Sequence, residues 1–183
     1  MSGQPNTDSS SIELRITEIS QLFHTLDPFP FRDKDLDKDA EEFIVGWARE
    51  TPTDRPLRIV VHLPEAQART ASATMLPEAL SRYFGYRAQV ASRDLAELFR
   101  IGRRTLLIGL AVLCFSTIAA QFAVHLTPDP LGSLAQESLT IFGWVANWRP
   151  LETFLYDWLP IVRRRDLLRR LAAARVDLQP YNT

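Results

Sequence analysis

Thr105 to Leu126, "TLLIGLAVLCFSTIAAQFAVHL", runs for 22 residues without an aspartate, glutamate, lysine or arginine. A bilayer core takes about 20 residues of helix, and an uncharged run of 18 or more is the signature of a membrane span. Buried helices of soluble proteins seldom continue so far without a polar stripe. Residues 105–126 are therefore expected to cross a membrane. Arg100, Arg103 and Arg104 crowd the start of this run, where long cationic side chains reach headgroups and anchor a span. "TPDP" (127–130) follows, and its two prolines stop the helix and turn the chain.

A second apolar stretch comes at once. Leu131 to Trp148, "LGSLAQESLTIFGWVANW", has a single acid, Glu137. As a helix it would be about 27 Å long, just enough for hydrocarbon. Trp144 and Trp148 fall at its far end, where an interfacial aromatic belt belongs. Glu137 lies roughly two turns in, a costly position unless paired, which makes it the one candidate functional residue of the membrane part. A re-entrant segment that enters and leaves on one side competes with a full span. Beyond Pro150, the apolar residues Leu151, Phe154, Leu155, Trp158 and Leu159 form an i, i+3, i+4, i+7, i+8 stripe. Glu152 and Asp157 fall on other sides, as in a helix lying in the headgroup plane. Arg149-Pro150 is then the membrane exit and Pro160 the end of this interfacial helix, with Arg163, Arg164 and Arg165 facing headgroups.

Charge supports the topology. Residues 1–99 hold 11 Lys+Arg against 16 Asp+Glu, a net of −5, while residues 100–183 hold 10 against 6, a net of +4. All ten cations of the second half are arginines. They flank the two apolar stretches on one side, whereas the connecting loop carries only Asp129. By the positive-inside bias the stretches form a hairpin with both termini in the cytoplasm. The basic helix "DLLRRLAAARV" (166–176) extends the contact with anionic lipid. Nucleic acid is the rival partner for these arginines, and their position beside a span favours lipid. Cys114 is the only cysteine, which excludes an internal disulfide.

The remainder reads as a small cytoplasmic α/β unit, making the whole an α+β membrane protein. Residues 1–11 have the composition of a disordered tail. "IELRI" (12–16) alternates as a half-buried strand does, and "LRIVVHL" (57–63) has the continuous apolar centre of a strand covered on both faces. Two amphipathic helices lie between them, one lined by Ile19, Leu22, Phe23 and Leu26, the other by Ala40, Phe43, Ile44, Trp47 and Ala48. Pro77 can open a further helix, Ser92 can cap the next, and Gly85 either divides them or lies within one long helix. A central strand needs two neighbours. "VDLQ" (176–179), with alternating Val176 and Leu178, is expected to supply the second, after "IELRI". The domains are then residues 12–99, a hairpin over 100–148, and 149–183 with interfacial and basic helices and this terminal strand.

Little catalytic chemistry is visible. The aspartates of "DKDLDKDAEE" (33–42) alternate like calcium ligands. An EF-hand loop from Asp33 would need Gly and Glu where Lys38 and Ile44 stand, and the register from Asp35 also fails. Helix capping, with Asp39 and Glu42 at capping-box spacing, fits better. His24, His62 and His125 lie far apart, and no HExxH, CxxC, GxSxG or phosphate-binding glycine loop occurs. No cofactor or metal is expected. Ser116/Ala120 and Ala119/Ala123 have the small-xxx-small spacing of close helix contacts, within the hairpin or in a homo-oligomer.

Three stretches, "TLDPFPF" (25–31), "LDKDAEEFIVGWARE" (36–50) and "NWRPLETFLYDWLPIVRRR" (147–165), resemble a family of uncharacterised bacterial two-span inner-membrane proteins. The resemblance covers all but the first ten residues. It implies inner-membrane residence and carries over no activity. The favoured function is a non-enzymatic, membrane-anchored module that binds a protein partner or self-assembles. The rival is a subunit of a membrane transporter or enzyme using Glu137 with Arg149 or His125. A metal-dependent hydrolase built on the aspartate run is a weaker third.

Overall fold

The computed structural model describes residues 11–23, 35–126 and 130–181. Most of the proposed N-terminal tail, and with it His24, Leu26, Asp33 and the loop residues 127–129, lies outside them. The described chain is mostly helical with one small sheet. Its order is β1 (Ser11–Arg15), a 3-10 turn (Ile19–Leu22), α1 (Lys38–Glu50), β2 (Arg58–Pro64), the short α2 (Glu65–Ala68), α3 (Ala71–Leu126), α4 (Leu131–Glu152), a π-helical turn (Thr153–Asp157), α5 (Trp158–Ala172) and β3 (Arg175–Tyr181). It divides into two compact units, Met1–Val90 with Arg163–Thr183, and Ala91–Val162.

The first unit is built on a parallel three-stranded sheet in the order β1-β2-β3. Consecutive residues Ile59, Val60 and Val61 are all buried, so both faces of β2 are covered. Such a strand leaves two rows of backbone groups to satisfy. β1 takes one, with Ile12 opposite Ile59. β3 takes the other, with Val176 opposite Ile59 and Leu178 opposite Val61. The terminal strand is longer than the four residues expected, because Arg175 already bonds back to Leu57 O at 3.2 Å. The basic helix consequently stops at Ala172 rather than reaching 176. Its Leu168 and Leu171 are buried in this unit's core rather than turned to lipid.

Polar contacts seat the surrounding helices. Ser81 Oγ donates to Ala172 O at 2.7 Å. Glu41 accepts from Tyr83 Oη and from Arg87, each at 2.7 Å, which ties α1 to α3. Arg170 donates to Pro52 O and Arg55 O, gathering the loop before β2. On the sheet, Arg58 Nε donates to Asp177, which also accepts from Arg175 at 3.1 Å. The Arg58 bond, helped by Arg175, holds the Asp177 carboxyl below the usual carboxylate range.

Several expectations are corrected. In its described part the helix expected around Ile19–Leu26 is one 3-10 turn, Ile19–Leu22, after which Phe23 bridges to Leu36. The cap of α1 is Asp37, whose side chain accepts from Asp39 N–H, rather than Asp39 itself. Only Ile44 and Ala48 of α1 are buried, while Phe43 and Trp47 are exposed and face each other 6.2 Å apart. Pro77 does not open a helix. Thr70, seven residues earlier, accepts from Ala73 N–H through its Oγ1, so the helix is already capped and Pro77 sits in its second turn. No helix starts at Ser92, since it and Gly85 lie inside α3. Pro150 and Pro160 do not bound a separate helix either. α4 runs through Pro150 to Glu152, and Pro160 is the third residue of α5. A π-helical turn, Thr153–Asp157, lies between them, and Pro160 falls in the first turn of α5, where a missing N–H is best tolerated.

Candidate membrane-facing site

Among the described residues, α3 is the one helix long and apolar enough to cross a membrane. α4 is long enough but too polar on average to qualify alongside it. Position explains why: the second unit is inverted relative to a water-soluble core. Its outward side chains are apolar, including Leu107, Ile108, Phe115 (72 % exposed), Ile118, Phe122 and Leu126 (81 %) on α3. On α4 they include Leu134, Ile141, Phe142, Val145 and Trp148 (71 %). Its buried positions are small or polar: Gly102, Gly109, Ser116 (1 % exposed) and Ala120 on α3, Gly143 and Asn147 (6 %) on α4, and Thr153.

These inward residues form a seam between antiparallel helices. A Cβ on Gly102 would meet Thr153 and the Phe154 ring at 3.3 Å. One on Gly109 would meet Asn147 Oδ1 at 2.8 Å, and one on Gly143 would meet Leu113 Cδ1 at 2.9 Å and Ser116 Cβ at 3.2 Å. Contacts this close exclude side chains and let the two backbones approach. Asn147 Nδ2 then reaches across to Gly109 O at 2.9 Å while also donating to Gly143 O at 3.1 Å. Ser116 and Ala120 serve this pairing, which decides their use within the chain. Ala119 and Ala123 are half-buried beside them.

The anchoring residues read from sequence are placed as follows. Arg100 pairs with Glu97 at 2.8 Å, and Arg103 and Arg104 are exposed. Trp144 and Trp148 are exposed on α4. Arg149 pairs with Glu152 at 3.0 Å, one turn on. Trp158 is half-buried and donates to Phe154 O. Phe154 itself packs on Gly102 and lies 6.0 Å from the Phe99 ring, so part of the expected lipid stripe is spent on α3. Arg163 and Arg164 are exposed, and Arg165 pairs with Asp166. Glu137 is exposed on α4 and has no hydrogen-bond or ion-pair partner among the described residues. It lies twelve residues from Arg149 along the same helix, about 18 Å. His125, at the end of α3, is exposed and does not bond it. The geometry thus brings neither proposed partner to Glu137.

Sequence reasoning missed Gly102, Gly109, Gly143 and Asn147. A signal existed: Gly102, Gly109 and Ser116 recur every seven residues, the period of a helix seam. No protein-family model, curated protein or solved structure matches this chain. Its functional reading therefore rests on these residues.

Proposed function

We propose that the chain is a membrane-anchored module of the bacterial inner membrane, in which α3 and α4 cross as a hairpin and the sheet-bearing unit works in the cytoplasm by binding partners. The observation that carries this reading is the apolar exterior of Ala91–Val162 around a small and polar interior. In water such a surface would aggregate, whereas in hydrocarbon it is the solvated face.

The sheet supports the hairpin by parity. β2 precedes α3 and β3 follows α5, yet the two strands pair along seven residues. Segments of one sheet occupy one compartment, so the chain between them crosses a membrane an even number of times. If α3 crosses once, α4 is the segment that returns. Its modest average apolarity is then no obstacle, because Asn147 is turned to the seam and bonded there. The arginines at 100, 103, 104, 149 and 163–165 flank both spans on one side, which favours the cytoplasm for both termini and anionic headgroups as neighbours. Leu151, Leu155 and Tyr156, exposed near the π turn, suit the interfacial layer. The direct check is carbonate extraction of membranes holding the full chain. Retention in the membrane pellet is expected, and release into the supernatant would overturn the anchor.

A further inference from the structure

We propose that α4 carries the self-association surface of the protein, and that Gln136 and Glu137 of one copy pair reciprocally with Glu137 and Gln136 of a second copy. The inference rests on the membrane reading above and names the partner that reading leaves open.

Ser133, Gln136, Glu137 and Thr140 stand at i, i+3, i+4 and i+7, so they share one stripe of α4, and all four are exposed. The two hydroxyls are already satisfied within the helix, Ser133 donating to Pro130 O and Thr140 to Gln136 O, each at 2.8 Å. The side chains of Gln136 and Glu137 have no partner among the described residues. Apolar Leu134 and Ile141 are exposed on the same helix, and the polar neighbours on the stripe, Ser133 and Thr140, are those already bonded to backbone carbonyls. Glu137 stands six residues into α4, about 9 Å from its first residue, with exposed Leu131 and Leu134 lying closer to the helix start. An amide and a carboxylate held in hydrocarbon demand partners.

Within the hairpin no described side chain bonds either one: Asn147 and Ser116 are engaged in the seam, and Gln121 and Ser138, though exposed, do not pair with them. A second copy can meet that demand. Two copies inserted in the same direction and related by a two-fold axis along the membrane normal would present parallel α4 helices to each other. Gln136 and Glu137 flank the centre line of the stripe on opposite sides, so each amide faces the other copy's carboxylate. The amide supplies donors and the carboxylate acceptors, and the contact is made twice, as an isologous interface requires. The small side chains of Ser133 and the compact Thr140 allow the helices to approach.

The test is oxidative cross-linking of the full chain in native membranes, in a Cys114→Ala background that removes the one native thiol. Thr140→Cys, on the stripe, should form a disulfide-linked dimer, and Phe142→Cys, exposed on the far side of the same helix, should not. Adding Gln136→Leu and Glu137→Leu should lower the Thr140→Cys dimer yield about tenfold, since both reciprocal contacts are lost. Equal cross-linking at 140 and 142, no dimer at either, or a dimer indifferent to the leucines would overturn the proposal. Carbonate extraction of the same samples separates the two claims. Protein retained in the pellet without a dimer refutes the interface alone, as expected if Glu137 only reaches for surface water. Protein released by carbonate refutes the membrane reading itself.

Discussion

Replacing Gly143 with leucine should force α3 and α4 apart, and the size of the effect follows from what surrounds that glycine. A Cβ there would lie 2.9 Å from Leu113 Cδ1, 3.2 Å from Ser116 Cβ and 3.3 Å from Leu113 Cα. The leucine methyl can swing aside, but Ser116 Cβ and Leu113 Cα move only with their helix. Alanine therefore requires a shift of a few tenths of an ångström, and a leucine Cγ beyond it has no vacant space. Overpacking of this kind costs about 1–3 kcal/mol. The better helix propensity of a residue other than glycine returns about 0.5–1 kcal/mol. The net loss for leucine is about 1.25 kcal/mol at the middle of these ranges, a factor of about 8 in the folded-to-unfolded ratio. Gly85→Ala in α3 is the control, because nothing lies within 4 Å of its added Cβ. It should gain about 0.5–1 kcal/mol from propensity alone. Survival of a brief protease pulse along an SDS titration in mixed micelles reads both. Gly143→Leu should unfold at a lower SDS fraction than the parent and Gly85→Ala at a slightly higher one. If Gly143→Leu unfolds with the parent, the seam does not exist.

Asn147→Ala removes the amide that bonds Gly109 O without adding bulk to the seam, and should destabilise the helix pair by about 1 kcal/mol or more in the same assay. Truncation after Ala174 removes all seven residues of β3 and uncovers one edge of β2. Limited proteolysis should then cut the sheet-bearing unit readily, whereas unchanged resistance would mean that the strand contributes nothing. Asp177, whose carboxyl is held low by Arg58 and Arg175, contributes stability that is present above its unfolded value near 3.8 and is lost as pH falls through its lower folded value. The gap in thermal midpoint between the parent and Asp177→Asn should accordingly be widest near neutrality and close in acid.

Those features that repeat along the chain were legible in the sequence, and those that depend on pairing were legible only where a deficit could be counted. The apolar run 105–126 needed nothing but its length. The terminal strand was readable from "VDLQ" because β2, apolar throughout, required a neighbour on each side. Proline misleads at the helix ends: Pro77 reads as a helix start and Pro150 and Pro160 as the bounds of a separate helix, whereas all three lie inside helices. Thr70 caps α3 upstream of the first, and a π-helical turn lies between the other two. Phe43 and Trp47 were assigned to the core on periodicity, yet Ile44 and Ala48 mark the buried face of α1 and leave both aromatics outside. Asn147 carries no signal of its own in the sequence. Its role depends on a carbonyl 38 residues away, which no local pattern reveals.

The parity of crossings between β2 and β3 is the central claim, and reporter fusions test it most directly. Compartment-sensitive reporters should be placed at each terminus and within the 127–130 loop of the full chain. Cytoplasmic signals from both termini with the loop on the opposite side are expected. Termini on opposite sides, or a loop on the same side as both, would contradict the account.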